Sequence, residues 1–218
     1  MNGLRKDRDA QKLSGKAGFE SYYSALYGER WPPIKKALVR DVRYVSWNAR
    51  GAEPYFLDGA SVLAASSLPL SGARTILDIC AAPGGKTLVL ASLMEADAHL
   101  VANERSRERY YRLKRVLENC LPETVCARVE TSLGDGAKMC LAENARYDRI
   151  LLDAPCSSER HVFTDAKYLA EWTPSRIKTS AIAQWALLSS AYRMLNPEGY
   201  ILYSTCALAP AENDGIVG

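Results

Sequence analysis

TILDICAAPGGKTLVLASLM, residues 75–94, decides the fold. A short apolar run, TILDI (75–79), passes through a loop of small residues, CAAPGG, into a longer apolar run, KTLVLASLM (86–94). The first reads as a buried strand and the second as a helix, because length and flanking glycine and proline separate the two. Small residues let the backbone approach a ligand closely, and the first N–H groups of a helix face whatever binds there. GGKT suggests the end of a phosphate-binding P-loop, but that motif needs glycine five residues before Gly85, and position 80 is Cys.

The same alternation continues downstream. Strands are expected at HLVAN (99–103), CARVE (126–130), RILLD (149–153) and YILYST (200–205). Helices are expected at SRERYYRLKRVLEN (106–119) and SRIKTSAIAQWALLSSAYRML (175–195). The last opens at Thr173-Pro174, and Ile177, Ala181, Trp185, Leu188, Tyr192 and Leu195 recur at helical steps as one apolar stripe. Strands alternating with amphipathic helices imply an α/β domain with a mostly parallel sheet and helices on both faces.

Upstream, residues 1–16 are polar and expected to be disordered. FESYYSAL (19–26) and WPPIKKALV (31–39) have helical character, the second with its prolines at the helix start. Residues 40–57 look irregular apart from a short strand at RYVSW, and LDGASVLAASSL (57–68) reads as a helix capped by Asp58. The expected organisation is a disordered 1–16, a small helical region over 17–70 and the α/β domain over 71–218.

Of the 218 residues, 48% are hydrophobic, enough for one substantial core. No stretch is apolar enough for a transmembrane helix or a signal peptide, so a soluble intracellular protein is expected. Residues 1–50 carry 11 Lys and Arg against 5 Asp and Glu; the remainder carries 17 against 20. A basic start rich in aromatics (Tyr22, Tyr23, Tyr27, Trp31, Tyr44, Trp47) suits nucleic acid. Aromatics turned into a core beneath a solvated helix are the alternative, and composition favours that. The six cysteines form no CxxC pair and have no histidine at zinc-ligand spacing; free thiols and no metal are expected.

Ligands of parallel sheets bind at the carboxyl ends of the strands. There stand Asp78 with the small loop, Glu104 after the second strand, where a carboxylate can hold ribose hydroxyls, and Asp135 in LGDGAK, placed for an adenine amino group. Arg109 lies one turn beyond Glu104. Asp78 to Lys86, Glu104 and Asp135 are expected to converge on one cleft. The fourth and fifth strands end in DAPCSSERH (153–161) and YSTCALAPAEND (203–214), each delivering a cysteine to the same edge.

In DICAAPGGKT, NERSRERYYRL, GDG, DAPCSSERH and YSTCALAPAEND, in this order, the chain resembles the Nop/Sun family of RNA cytosine-5 methyltransferases. YGERWPPIKKAL and FLDGASVLAASSL are similar to the family's region before the first strand. The resemblance implies a Rossmann-like class I methyltransferase fold, S-adenosylmethionine as cofactor, and methylation of carbon 5 of a cytosine in ribosomal or transfer RNA. Carried over, Cys80, Ala81, Ala82, Pro83, Gly84, Gly85 and Lys86 would hold the methionine end of the cofactor. Glu104 would bind its ribose with support from Arg109, and Asp135 its adenine. Asp153 would meet cofactor and target cytosine, Cys206 would be the nucleophile, and Cys156 would assist product release.

The chemistry accounts for these residue types. Carbon 5 of cytosine is a weak nucleophile until a thiolate adds at carbon 6 and makes it enamine-like. A protonated acid near N3 relieves the charge, and burial would keep Asp153 in that form. Cys156 would take the carbon 5 proton, its thiolate favoured by Lys86 if that cation lies close. The family's fold usually finishes with two further strands, one antiparallel, whereas only residues 206–218 follow the fifth strand here. The expectation is a sheet with an exposed edge, less stable than a chain extended by a strand pair. A catalytically impaired fragment that binds RNA is the alternative function. A DNA enzyme would use the Pro-Cys of the fourth strand as nucleophile, and a dehydrogenase lacks its GxGxxG. The protein is expected to be a cytoplasmic monomer, with the mitochondrion as the alternative location.

Overall fold

The structure, a computed structural model, describes residues 13–48, 53–142 and 146–218. In chain order the elements are α1 (Gly15–Tyr27), α2 (Trp31–Leu38), β1 (Tyr44–Trp47), β2 (Tyr55–Asp58), α3 (Gly59–Ser66), β3 (Thr75–Asp78) and α4 (Gly85–Leu93). They continue with β4 (His99–Glu104), α5 (Arg107–Cys120), α6 (Glu123–Cys126), β5 (Val129–Leu133), β6 (Tyr147–Asp153), α7 (Glu159–Thr164), α8 (Ala166–Ala170), α9 (Ser175–Arg193), β7 (Leu195–Ser204) and α10 (Asp214–Val217). Two compact units result. One comprises residues 42–155 and 182–205, the other residues 1–41, 156–181 and 206–218, so the division does not fall at residue 70.

The larger unit is built on a parallel sheet in the order β5-β4-β3-β6-β7. Its central strands β3, β4 and β6 carry apolar residues on both faces because both are covered. Ile76, Leu100, Ala102 and Leu151 face a core with Leu88, Leu90, Leu113 and Leu117 of α4 and α5. Leu77, Ile150 and Leu152 face Leu187, Ala191 and Met194 of α9 and its end. The antiparallel hairpin β1–β2 leads into α3, whose N-cap Asp58 accepts from Ser61 N at 2.8 Å. The switch at β3 and the strands on either side of it produce the Rossmann-like methyltransferase order that the sequence implied.

Four expectations are corrected. The helix expected over 175–195, α9, ends at Arg193, so Leu195 opens the strand β7, which was expected to start at Tyr200. Residues 123–126 form a helical turn after Pro122, so the third strand starts at Val129 and not at Cys126. β2 occupies a stretch read as irregular. The buried face of α9 lies one residue away from the expected stripe: Gln184 and Leu187 are buried, whereas Trp185 and Tyr192 are 59% and 74% exposed. The amide of Gln184 donates to Pro155 O at 2.9 Å, which turns a polar residue inward and the aromatics outward.

The smaller unit is held by an aromatic core of Phe19, Tyr23, Trp31 and Trp172 with Val162, Leu169 and Ile177. Each buried ring contributes roughly 1.5–3 kcal/mol. This settles the N-terminal aromatics: Tyr22, Tyr23, Tyr27 and Trp31 pack in this core, and Trp47 packs against the core of the other unit, leaving Tyr44 exposed. The disorder expected for residues 1–16 falls outside the described residues up to position 12, and α1 already begins at Gly15. Among the described residues no helix is long and apolar enough to cross a membrane, and no cluster of three or more His, Cys, Asp or Glu could hold a metal ion.

Candidate functional site

Two cavities open at the carboxyl ends of the sheet strands in the larger unit, and Cys80 lines both. The first, about 490 Å³, is lined by Ile79, Glu104, Arg109, Asp135, Gly136 and an apolar wall of Ala183, Ala186 and Leu187. Glu104 and Asp135 therefore share a cavity. Glu104 is buried at the end of β4; it accepts from Ser106 N at 2.7 Å and meets the Arg109 guanidinium at 3.5 Å. Arg109 also donates to Ala82 O, tying the small loop to the acidic strand end. A Cβ on Gly136 would stand 2.8 Å from Ile79 Cγ1 and 3.0 Å from Leu187 Cδ2, so any larger residue beside Asp135 would have to displace the Ile79 side chain.

The second cavity, about 230 Å³, is lined by Asp78, Ala81, Ala82, Pro83, Gly85, Lys86 and Asp153, with Asp58, Ser61 and three aromatics of the β1–β2 hairpin. The loop 78–86 thus serves mainly this cavity and reaches the Glu104–Asp135 cavity only through Ile79 and Cys80. Gly84 makes the turn into α4 at φ +115°, a conformation open to glycine. Lys86 Nζ lies 2.8 Å from Asp153 Oδ2 and donates to Ser61 Oγ at 3.0 Å, while Ser204 Oγ donates to Asp153 Oδ1 at 2.9 Å. Asp153 is thus half-exposed and ion-paired, where a buried acid was expected.

The buried acid is Asp78, 0% exposed, with Oδ2 accepting from Thr87 Oγ1 at 2.7 Å and Oδ1 lacking a hydrogen-bond partner. Burial pushes its carboxyl up to about 7. Burial, then the neighbouring Asp78, also pushes the Cys80 thiol up, so it is a neutral wall of both cavities.

In the smaller unit Cys156 Sγ and Cys206 Sγ lie 3.1 Å apart, with Ser158 Oγ at 3.5 Å and 3.6 Å from them. Cys206 is exposed and Cys156 half-buried. The hydrogen bond from the Cys206 thiol, with help from Ser158 and against the effect of burial, pulls Cys156 down to about 6. Two sulfurs this close titrate as a pair sharing one proton, and the first proton leaves the pair easily. The sequence looked to Lys86 for this support if it lay close; the support comes from Cys206 and Ser158, and Lys86 pairs with Asp153. Ser158 sits at φ +54°, a strained conformation for serine that brings its hydroxyl to both sulfurs.

Sequence reasoning gave no role to Ser158, Glu159 or Glu212. Glu159 is 1% exposed and accepts from Tyr23 OH, Ser157 Oγ and Leu208 N; Glu212 is 0% exposed and accepts from Ser157 N at 2.9 Å. The two carboxylates hold the segments that follow both cysteines. The available signal was an acidic residue three positions beyond Cys156 and six beyond Cys206, inside otherwise small and apolar stretches.

The paired thiols are expected to react early. Iodoacetamide labelling followed by peptide mass spectrometry should give a rate midpoint near pH 6 for Cys156, against roughly 8.5 for an ordinary thiol. In Cys206→Ala the midpoint should rise, because the donor is gone. A midpoint of 8 to 9 in the unmodified chain would contradict the shared proton.

A family model described as 16S rRNA methyltransferase RsmB/F matches residues 65–218. The mouse mitochondrial tRNA (cytosine(34)-C(5))-methyltransferase is 35% identical over 164 residues, 75% of this chain and 47% of the relative. The 5-cytosine rRNA methyltransferase NSUN4 of Bos taurus is 38% identical over 168 residues, 75% of this chain and 43% of the relative. Among solved structures, that of NSun6 from Pyrococcus horikoshii with SFG superimposes with a TM-score of 0.59 at 27% identity, covering 74% of this chain and 40% of that one. The chain spans less than half the length of either curated relative. A family match over most of the chain, taking in the Glu104–Asp135 cavity, the 78–86 loop and the thiol pair, shows that it belongs to the Nop/Sun family of methyltransferases, the family of RsmB/F.

Proposed function

We propose that this chain transfers a methyl group from S-adenosylmethionine to carbon 5 of a cytosine in RNA, with Cys206 as nucleophile. The observation that carries the reading is the thiol pair, the sulfurs of Cys156 and Cys206 lying 3.1 Å apart. One sulfur to attack and one group to take protons is what covalent activation of cytosine requires.

The residues present fit the cofactor. Glu104 offers acceptors for ribose hydroxyls, and Asp135 with the wall of Ala183, Ala186 and Leu187 suits adenine. The orphaned Oδ1 of Asp78 suits an ammonium group at the methionine end. Bound there, the cofactor supplies an electrophilic methyl on a sulfonium sulfur.

The chain's own residues do the rest. Cys156 takes the Cys206 proton as Cys206 adds to carbon 6 of the cytosine. The edge of the base offers an N4 donor beside an N3 acceptor, complementary to the Asp153 carboxylate and the Lys86 ammonium. Lys86 thereby relieves the charge that the addition places on the ring. Carbon 5 then takes the methyl. Cys156, having passed its first proton to solvent, removes the carbon 5 proton, and Cys206 is expelled. Ribosomal and transfer RNA both fit; the mitochondrial name of the mouse relative supports the mitochondrion over the cytoplasm as location.

Calorimetry with S-adenosylhomocysteine, together with bisulfite sequencing of RNA incubated with the chain and S-adenosylmethionine, tests this. Glu104→Ala should weaken binding by about 10-fold or more, the value of a charge-assisted hydrogen bond. Asp78 must lose its proton to hold an ammonium group, so affinity should rise with pH up to about 7, by as much as tenfold per unit. Asp78→Asn should bind weakly and without this dependence. No binding by the unmodified chain, or no 5-methylcytosine, would sink the reading.

A further inference from the structure

We propose that Tyr44 and Phe56 form a stacking platform for an unpaired base of single-stranded RNA, at the mouth of the cavity that holds Lys86 and Asp153. The proposal rests on the RNA methyltransferase reading and adds a substrate-binding site to it.

The hairpin register supplies the geometry. Tyr44 pairs with Asp58, Val45 with Leu57, Ser46 with Phe56 and Trp47 with Tyr55. Residues opposite one another, and residues two apart, share a face. Val45, Trp47, Tyr55 and Leu57 therefore form one face, of which Leu57 is buried and Trp47 and Tyr55 pack against the core. Tyr44, Ser46, Phe56 and Asp58 form the other. On it Tyr44 and Phe56 are 64% and 63% exposed.

A single exposed aromatic is ordinary. Here two are diagonal neighbours on one short hairpin, roughly 7–8 Å apart by strand geometry, and both line the cavity of Asp58, Ser61, Asp78, Lys86 and Asp153. An aromatic rim above a charged floor selects its occupant. A wholly apolar protein segment would take the Lys86–Asp153 ion pair out of water and offer it no hydrogen bonds, at a cost. A nucleotide offers a planar π-face to the rim and polar edges to the floor. Arg43, exposed immediately before Tyr44, adds a cation for a phosphate. Bases in a duplex have their faces covered by stacking, so the platform serves single strands or extruded bases.

The test uses the full chain and a short single-stranded oligoribonucleotide with one cytosine flanked by 2-aminopurine, and the same sequence as a duplex. Binding is followed by anisotropy and stacking by quenching of 2-aminopurine. Phe56→Ala and Tyr44→Ala should each weaken single-strand binding by about tenfold, and the double variant by about a hundredfold, the scale of one base–aromatic stack per ring. Quenching should be lost with affinity. Tyr44→Phe should retain both, and Leu63→Ala, an exposed apolar residue of α3, should bind as the unmodified chain does. S-adenosylhomocysteine calorimetry on the same samples separates the two ideas. Failure of the unmodified chain to bind it counts against the methyltransferase reading, while the RNA titrations still score the platform. Unchanged RNA affinity in folded alanine variants, absence of quenching in the unmodified chain, or duplex bound as tightly as single strand overturns the proposal.

Discussion

Cys206→Ala should form no covalent RNA adduct and no 5-methylcytosine, while Cys156→Ala should accumulate an adduct that survives a denaturing gel. The opposite signs follow from the shared proton. Removing Cys206 removes the atom that bonds to carbon 6, and activity should fall by about 10⁴ or more, as for other nucleophile deletions. Removing Cys156 leaves a nucleophile that loses its proton to solvent, so attack and methyl transfer go on. The carbon 5 proton then leaves without its base, and elimination slows by roughly 10²–10⁴. The trapped species should therefore carry the methyl label from the cofactor. The roles would be reversed if Cys206→Ala trapped RNA and Cys156→Ala did not, as in a DNA-type enzyme using the Pro-Cys that follows β6. If the thiols were only packing partners, both variants would turn over normally with a modest loss of stability.

The chain's grammar of strand, small loop and helix was legible because burial on both sheet faces leaves continuous apolar runs, and β3, β4, β6 and α5 fall within a residue or two of their expected limits. Glu104 and Asp135 were legible for the same reason: strand ends in a parallel sheet open on one edge. What periodicity could not see was set by single hydrogen bonds. Gln184 faces inward because Pro155 O waits for its amide, and the turn at 123–126 forms because Pro122 O accepts from Val125 N and Cys126 N. Asp153, expected to be a buried acid, is instead paired with Lys86 in the first turn of α4, and the acid that the core encloses is Asp78. The Cys156 thiolate is supported by Cys206, fifty positions away in sequence, which no local pattern encodes.

Glu159→Ala should destabilise the smaller unit by roughly 3–4 kcal/mol, because it strands several buried donors at once. Glu159 Oε2 accepts from Leu208 N at 2.9 Å, and Oε1 accepts from Tyr23 OH and Ser157 Oγ, all within a carboxylate that is 1% exposed. The backbone N–H of Leu208 has no rotamer to seek another partner, and the Tyr23 hydroxyl lies inside the aromatic core. Glu159→Gln keeps the shape but presents N–H groups where an acceptor is required, so a smaller loss of about 1–2 kcal/mol is expected. Tyr23→Phe deletes one donor and leaves the carboxylate its other two, which should cost least. Thermal melts would rank the three. A second readout separates holding the fold from holding the thiols: Ser157 and Leu208 each lie within two residues of a cysteine, so loosening either moves one sulfur relative to the other. In folded Glu159→Gln the alkylation midpoint of Cys156 should climb from about 6 towards that of an ordinary thiol. A midpoint that stayed near 6 while the melt fell would assign Glu159 to stability alone and leave the thiol spacing to Glu212, which accepts from the Ser157 N–H on the other side of the same segment.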